Sequence, residues 1–415
     1  MSKANATTEL SPKGLRVAEL VKSGEGQAAA IERAPGVYES RGVGNSYLLT
    51  TPEGDVIVNA GTLHDAKRGK ELFAKVSDGP VRYIILTQSH LNQYGGLEVF
   101  KTADNVVIAH RNFPEARVYS KALRAHYAGI TTRMWGPITG NAQDMQPTRE
   151  VAPDLLIDER HGFELGGRRF EVIWTPGGET RDAVMVWLPD EKIAIVGNLF
   201  GPIFGNHPNL NTIRGDKPRW ALQFIDSVKT LRALKPELVL TGHEEIRGAD
   251  HLQREMTRII DAVQWVHDAT VEGMNAGKDL RTLMREIVPP PEHALTEEYG
   301  KVAWNVRATW HEYTGWFDPA AGTTDLYGVP ASSVAGDIAE LAGGAGKLAE
   351  RAQTYIARGK PLEALHLLDI AVAAAPADAG ARAAKRQALQ LLLEQTGGQN
   401  LWERMWIASE IKALD

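Results

Sequence analysis

The chain has 415 residues, of which 43% are hydrophobic and 24% are charged, and its formal net charge is -6. This composition is typical of a globular protein with a sizeable core, and no run of Lys or Arg offers a surface for nucleic acid or an anionic membrane. The absence of cysteine excludes disulfides, thiolate metal ligands and a cysteine nucleophile. Because no basic surface is indicated, we expect a small-molecule or protein partner.

The first 33 residues are polar and rich in Ala and Lys, which predicts a mobile arm with a short helix. This N-terminus lacks the apolar core of a signal peptide, and no stretch approaches about 18 continuous apolar residues. A cytoplasmic location without membrane contact is the expectation.

Strands are predicted from Gly36 onward, where short runs rich in Val, Ile and Tyr alternate with turn signals. The segment TLHDAKRGKELFAKV then carries apolar residues at helical spacing and predicts a helix. Buried strands and amphipathic helices continue to alternate up to about residue 250. This pattern predicts a layered α/β domain.

Helical patterns alone follow from about residue 250 to the end of the chain. Two helices that flank the turn Gly359-Lys360-Pro361 resemble a single tetratricopeptide unit, without a second copy at a fixed period. One such unit cannot bury its own apolar face. It is therefore expected to pack on the α/β domain or on a second subunit.

Four loops that follow apolar strands carry the side chains able to do chemistry. Loops at the ends of strands face a shared cleft, so we expect these side chains to meet. The loops are TQSHLNQYGG, TPGGETRD, GNLFGPIFGNHPNLNTIRGD and LTGHEE. Their candidate residues are Gln88, His90, Asn92 and Gln93; Glu179 and Asp182; Asn198, His207, Asn209 and Arg214; and His243, Glu244 and Glu245.

Several of these motifs carry a resemblance to a known family. TQSHLNQYGG resembles the metal-binding loop of the metallo-β-lactamase superfamily, His-x-His-x-Asp-His followed by Gly-Gly. TPGGE and NLNTIRG resemble Pro-Gly-Thr-Glu and Asn-Leu-Tyr-Thr-Leu-Arg-Gly of its alkylsulfatases, and YGKVAWNVRATWHEYTGWFDP, from Tyr299, is similar to the start of their helical dimerisation domain.

The resemblance implies a fold and a division into domains. The fold class is α/β, an αββα metallo-β-lactamase-like sandwich followed by an all-helical dimerisation domain. The implied boundaries are an N-terminal arm over 1–33, the sandwich over 34–285 and the dimerisation domain over 286–415. The sterol-carrier-like C-terminal domain of many alkylsulfatases is expected to be absent.

The same resemblance implies two zinc sites, but several of their ligands are changed. Carried over by position, the two ligand sets become Gln88, His90 and Glu179 for one ion, and Asn92, Gln93 and His243 for the other. A further glutamate of the family falls on Gly197. Neutral amides bind zinc weakly, so a conventional dinuclear site is not expected.

Three strong ligands remain on three loops, namely His90, Glu179 and His243. Two histidines and one carboxylate can hold a single divalent metal, zinc or iron, with open positions, and Gln88 or Asp182 could complete the set. The alternative is that these side chains make only hydrogen bonds in a polar cleft. No organic cofactor is implied.

Catalytic roles are expected for Glu179, Asn92 and His207, the last as a replacement ligand or base. Glu244 or Glu245 could also serve as a general base if it is buried. The alternative for His207 is an exposed loop residue, and for the two glutamates a solvated acidic pair.

Substrate binding is assigned to Arg214, Asn209 and Asn198. A guanidinium fork suits a tetrahedral or planar anion, and the resemblance implies that Arg214 would bind the sulfate group. The alternative for Arg214 is a structural salt bridge within the loop. His64 and His110 are expected to be structural.

Three functions are compatible with this reading. The first is a hydrolase of a small ester or ether, a sulfate ester or an alkyl or aryl ether, with an apolar part and a reduced single-metal site. The missing ligands disfavour primary alkylsulfatase activity as such. The second is a non-catalytic or accessory subunit that heterodimerises with an intact metal-binding relative, and the third is a metal-free acid/base hydrolase. The chain is expected to form a homodimer or a heterodimer with a related chain.

Overall fold

The structure is a computed structural model that describes residues 11–140 and 147–415. The chain forms two compact units, which meet in sequence between Tyr313 and Thr314. Residues 1–10 of the predicted N-terminal arm lie outside the described residues.

The first unit contains two β-sheets. The first sheet has the strand order β1 to β7, formed by Ile31–Ala34, Val37–Ser40, Ser46–Leu49, Asp55–Val58, Val81–Ile85, Val106–His110 and Leu155–Ile157. The second sheet has the order β13 to β8, and in chain order its strands β8 to β13 are Arg160–Leu165, Arg168–Trp174, Val184–Leu188, Ile193–Gly197, Leu238–Thr241 and Glu245–Arg247. Strands β4 to β7 are parallel, as are β11 and β12, and the other neighbours are antiparallel.

Strands in the centre of both sheets are apolar on both faces because each face is covered. In β4, Val56 and Val58 lie between the two sheets, whereas Ile57 faces the helices on the outside. In β11, Ile195 lies between the sheets and Val196 faces the outside. The period of two along a strand thus builds three apolar layers from one pattern.

Helices cover the outer faces of the two sheets. In chain order, helices α1 to α10 of the first unit are Arg16–Leu20, Leu63–Phe73, Leu91–Tyr94, Leu97–Phe100, Phe113–Ala122, Arg124–Thr139, Ala221–Ala233, Ala249–Asn275, Leu280–Glu286 and Val302–Thr314. Helices α2 to α4 pack on the first sheet, and α7 and α8 pack on the second. The predicted αββα sandwich is confirmed.

The second unit is helical. Its helices α11 to α15 are Ala335–Leu341, Ala345–Ile356, Pro361–Ala374, Ala379–Gln395 and Leu401–Lys412. Alanine and leucine side chains of α11 to α14 form its core, in which Ala352 and Leu368 are fully buried. The predicted helical domain is therefore present.

The first unit extends further along the chain than the predicted boundary at residue 285. Val302 and Val306 of α10 pack with Val266 of α8 and with Leu280 and Leu283 of α9. This apolar cluster joins residues 286–313 to the sandwich. Within the part of the chain that the structure describes, no helix has the length and apolar character needed to cross a membrane.

Candidate active site

The loop after β5 is fixed at the edge where the two sheets meet. The Val184 amide of the second sheet donates a hydrogen bond of 2.8 Å to the carbonyl of Thr87. The Thr87 amide and hydroxyl in turn donate to the Asn59 side chain, at 2.8 and 2.9 Å. The loop that begins at Thr87 is therefore bonded to both sheets before its polar side chains begin.

His90 lies between two carboxylates. Its Nδ1 atom is 3.1 Å from Glu179 Oε2, and its Nε2 atom is 3.1 Å from Asp216 Oδ2. Burial alone would lower the pKa of His90, but the hydrogen bonds and charges of Asp216 and Glu179 raise it above its ordinary value. An imidazolium can donate one N–H to each carboxylate, and its Nδ1 atom also lies 2.9 Å from Gln88 Nε2, a second donor towards the same Glu179 oxygen.

The two carboxylates are held in their ionised forms. Burial would raise the pKa of Glu179, but the hydrogen bond and charge of His90 bring it well below its ordinary value. The pKa of Asp216 is lowered in the same way by His90 and by the charges of Arg219 and Arg214. The centre is thus a partly buried network of opposite charges.

Neutral amides surround Glu179. Gln88 Nε2 and Asn198 Nδ2 donate to Glu179 Oε2 at 3.1 and 2.8 Å, and Gln93 Nε2 donates to Asn198 Oδ1 at 2.9 Å. The Tyr299 hydroxyl donates to Glu179 Oε1 at 3.4 Å. Glu179 therefore receives N–H and O–H groups from several directions, as an anion held by the protein's own donors.

These donors do not fit a zinc or iron ion. The residues described by the structure contain no group of three His, Asp or Glu side chains that could hold a metal. His243 is buried, the Nδ1 of its ring has no hydrogen-bond partner among those residues, and burial lowers its pKa to about 4. The carboxylate oxygen that a metal would need already accepts from His90, Gln88 and Asn198.

A cavity of about 990 Å³ opens beside this centre. His90, Glu179 and Asp216 contribute to its wall, together with basic, acidic, aromatic and small apolar residues, among them Arg117, Arg124, Arg181, Arg214, Lys217, Glu115, Glu150, Tyr94, Tyr119, Tyr127, Ala116 and Ala128. Such a lining can bind a small molecule with an apolar part and an anionic part.

Two sequence families match the chain. The Metallo-beta-lactamase superfamily matches residues 40–243, and the Alkyl sulfatase dimerisation family matches residues 284–413. The chain is an alkylsulfatase-like member of the metallo-beta-lactamase superfamily. The resemblance noted in the sequence is thus confirmed, and the helical unit carries a dimerisation domain.

Individual relatives agree with this assignment. A linear primary-alkylsulfatase of Pseudomonas sp. is 26% identical over 72% of this chain and 61% of its own length. An alkyl/aryl-sulfatase of Saccharomyces cerevisiae is 24% identical over 78% of this chain and 54% of its own length. The chain therefore spans less than two thirds of these curated relatives.

A solved structure has the same fold over most of the chain. The stereoselective inverting sec-alkylsulfatase Pisa1 of Pseudomonas sp. superposes with a TM-score of 0.80 and 22% sequence identity. The match covers 96% of this chain and 67% of the solved one. This likeness supports the fold of each of the two units.

The position at which the alkylsulfatase resemblance implies a glutamate has no room for a side chain. Gly197 has a φ of 53°, and a Cβ atom there would lie 2.3 Å from Thr87 Oγ1. Gly242 is equally tight, since its Cβ would lie 2.0 Å from Asn198 Oδ1. The backbone of this alkylsulfatase-like chain is therefore built around the amide network.

Two of the residues predicted to be catalytic form no hydrogen bond with His90 within the described chain. The Asn92 amide donates to the Val43 carbonyl at 3.5 Å, towards a neighbouring loop. His207 is 1% exposed and does not contribute to the cavity wall; neither ring nitrogen has a partner in the described chain, and burial lowers its pKa to about 4. A catalytic role for either residue stays a prediction.

The residues predicted to bind substrate contact three different members of the site, namely Asp216, Arg219 and Glu179. Arg214 lies on the cavity wall and donates to Asp216 Oδ2 at 3.2 Å. The Asn209 carbonyl accepts from Arg219 at 2.7 Å, while its buried side-chain amide has no partner among the residues described. Asn198 binds Glu179 and is buried.

The other candidates make local contacts. Asp182 accepts from the Ser89 hydroxyl at 2.9 Å, and burial raises its pKa. Glu244 forms an ion pair with Arg16, and Glu245 pairs with Arg33 and Arg247, so neither is a solvated acid. His64 is exposed, and His110 is buried and stacked on Trp174.

Sequence reasoning missed Asp216, Arg219 and Tyr299 as members of the site. Asp216 follows the quoted motif NLNTIRG directly, and Tyr299 begins the motif that resembles the start of the dimerisation domain. Asp216 contacts His90, which is 126 residues away in sequence. Nothing in the local pattern of either segment signals that pairing.

Proposed function

We propose that the chain hydrolyses a small sulfate ester with an apolar alkyl or aryl part, using its own side chains as acid and base. The position of His90 between Glu179 and Asp216, on the wall of a large cavity, is the observation that carries this proposal. The relatives with sulfatase names favour a sulfate ester over an ether.

In this reaction water attacks the ester and the alcohol leaves. His90 Nε2 exchanges its hydrogen bond with Asp216 for one to the departing oxygen and donates its proton there. The proton lost by the attacking water then returns to Nε2, so the products are an alcohol and hydrogensulfate. Glu179 and Asp216 fix the orientation of the ring and balance its charge. Arg214, on the cavity wall, holds the sulfate group, and Asn209, which is 3% exposed and not part of that wall, supports the loop through Arg219.

The test is release of sulfate from linear primary and from secondary octyl sulfate by the purified chain, before and after exhaustive chelation. We expect activity to survive chelation, and His90→Ala to reduce kcat by about 10²–10⁴-fold. The exposed His64→Ala variant is the matched control and should retain activity.

Loss of activity on chelation, with recovery on added zinc or iron, would overturn the metal-free proposal. That result, with one metal per chain by elemental analysis, would instead favour the predicted single site of His90, Glu179, His243 and Gln88. Those side chains would have to rearrange, because Gln88 and Asn198 now donate to Glu179.

The dimerisation domain implies that the chain forms an oligomer. We infer a dimer with a second copy or with a related chain, tested by the mass of the purified protein in light scattering. An accessory role is the alternative function, favoured by the amides at positions where the family has ligands. An inactive pure chain that gains activity only with a related chain would establish that role. The cytoplasmic location stays a prediction.

A further inference from the structure

Three basic side chains of the cavity lie over aromatic rings. Arg117 is 4.0 Å from the centroid of the Tyr94 ring, and Lys217 Nζ is 3.6 Å from that of Tyr119. The third pair is Arg181, whose guanidinium carbon is 5.8 Å from the centroid of the Trp220 ring. Trp220 is 36% exposed and does not itself line the cavity, so its indole borders the cavity through Arg181.

Two of these pairs are neutralised by a glutamate of the same cavity. Arg117 pairs with Glu150 at 2.9 Å, and Lys217 pairs with Glu115 at 2.9 Å. Among the residues that the structure describes, the exposed guanidinium of Arg181 forms no ion pair; its charge makes only the smallest contribution to the lowered pKa of Glu115, which Lys217 mainly causes. The charge of this third pair is therefore available to an anion.

The backbone of Arg181 is fixed although its side chain is exposed. The Arg181 carbonyl accepts from Trp174 Nε1 at 2.8 Å and from Asn112 Nδ2 at 3.5 Å. The residue also follows Glu179, the buried acceptor of His90, by only two positions. A ligand anion held by Arg181 would thus lie on the wall that also carries the proposed catalytic centre.

The geometry points to Arg181 and Trp220 as the subsite that recognises an organic anion, with the guanidinium on the sulfate or sulfonate group and the indole against the adjacent carbon chain. This inference rests on the proposed function for its substrate class. It adds a specificity residue outside the NLNTIRG motif, where Arg214 already donates to Asp216.

The test is binding of octyl sulfonate, whose C–S bond the proposed hydrolysis does not cleave, measured by isothermal titration calorimetry on the full chain. Arg181→Gln should weaken binding by at least about tenfold, because one charge-assisted contact is lost. Arg181→Lys should retain part of the affinity, since it keeps the charge without the fork. Trp220→Ala should also weaken binding.

The matched control is Arg124→Gln, which removes the same charge from the same cavity. Within the described chain, the Arg124 guanidinium lies over no aromatic ring and forms no ion pair with a carboxylate. Its effect should stay below about threefold. Equal losses for Arg124→Gln and Arg181→Gln, no loss for Arg181→Gln, or no binding by the wild-type chain would each overturn the assignment. Binding that depends on Arg181 in a chain without sulfatase activity would support this subsite and refute only the proposed hydrolysis.

Discussion

Replacing Glu179 by glutamine removes one charge from the network with almost no change in shape. Glu179 is 5% exposed and accepts from His90, Gln88, Asn198 and Tyr299. The substitution leaves His90 with Asp216 as its remaining carboxylate and turns an NH₂ group towards other donors. Removing one partner of a buried ion pair costs about 3–5 kcal/mol, so we expect a loss of that size in the free energy of unfolding.

The assay is urea denaturation at pH 7, followed by tryptophan fluorescence and by circular dichroism. Glu171→Gln is the matched control, because Glu171 of β9 forms a partly exposed ion pair with Arg160 of the neighbouring strand β8. Its loss should cost under about 1 kcal/mol. A double-mutant cycle with His90→Asn should give a coupling of about 1.5–3 kcal/mol between the two residues. A Glu179→Gln variant within 1 kcal/mol of the wild type, or a coupling near zero, would refute the charge network.

Three further predictions concern other parts of the chain. Burial lowers the pKa of His110 to about 4, so the unfolded chain takes up a proton on this residue before the folded chain does. The free energy of unfolding therefore falls as the pH drops from about 6.5 to 4. His110→Phe should lessen that fall by about 2–3 kcal/mol, measured by urea titrations at several pH values. Gly197→Ala should cost about 2–4 kcal/mol, measured the same way, because of its positive φ and the contact with Thr87, and a neutral result would contradict the close packing. In the helical unit, Leu368→Ala should cost about 2–5 kcal/mol, whereas Leu341→Ala, at a position 89% exposed, should change the melting transition little.

Much of the fold was predictable because both faces of the central strands are buried. Continuous apolar runs such as YIIL and IAIV indicate covered strands, and the helix from Leu63 to Phe73 follows from its periodicity. The extent of the first unit was less predictable. The segment 286–313 has helical signals like those of the dimerisation domain, and it is the packing of side chains such as Val302 and Val306 that joins it to the sandwich.

The candidate site was predictable in its loops but not in its contacts. The strand ends brought Gln88, His90, Glu179 and Asn198 together, although these residues follow strands of two different sheets and β9 has only antiparallel neighbours. The partner of the second His90 nitrogen was not predictable, because Asp216 lies on a long irregular loop without a periodic pattern. Amides also hide their role in a sequence, since the same Gln88 can present an oxygen to a metal or an N–H to a carboxylate.

The hydrogen bond from Val184 to Thr87 makes one amide proton a natural probe of the site. Val184 is fully buried, so its exchange with deuterium requires the strand to separate from the loop that leads to His90. The exchange rate of this single amide therefore reports how often the junction of the two sheets opens. A ligand that binds at His90 should slow it, and this readout requires neither turnover nor a known substrate.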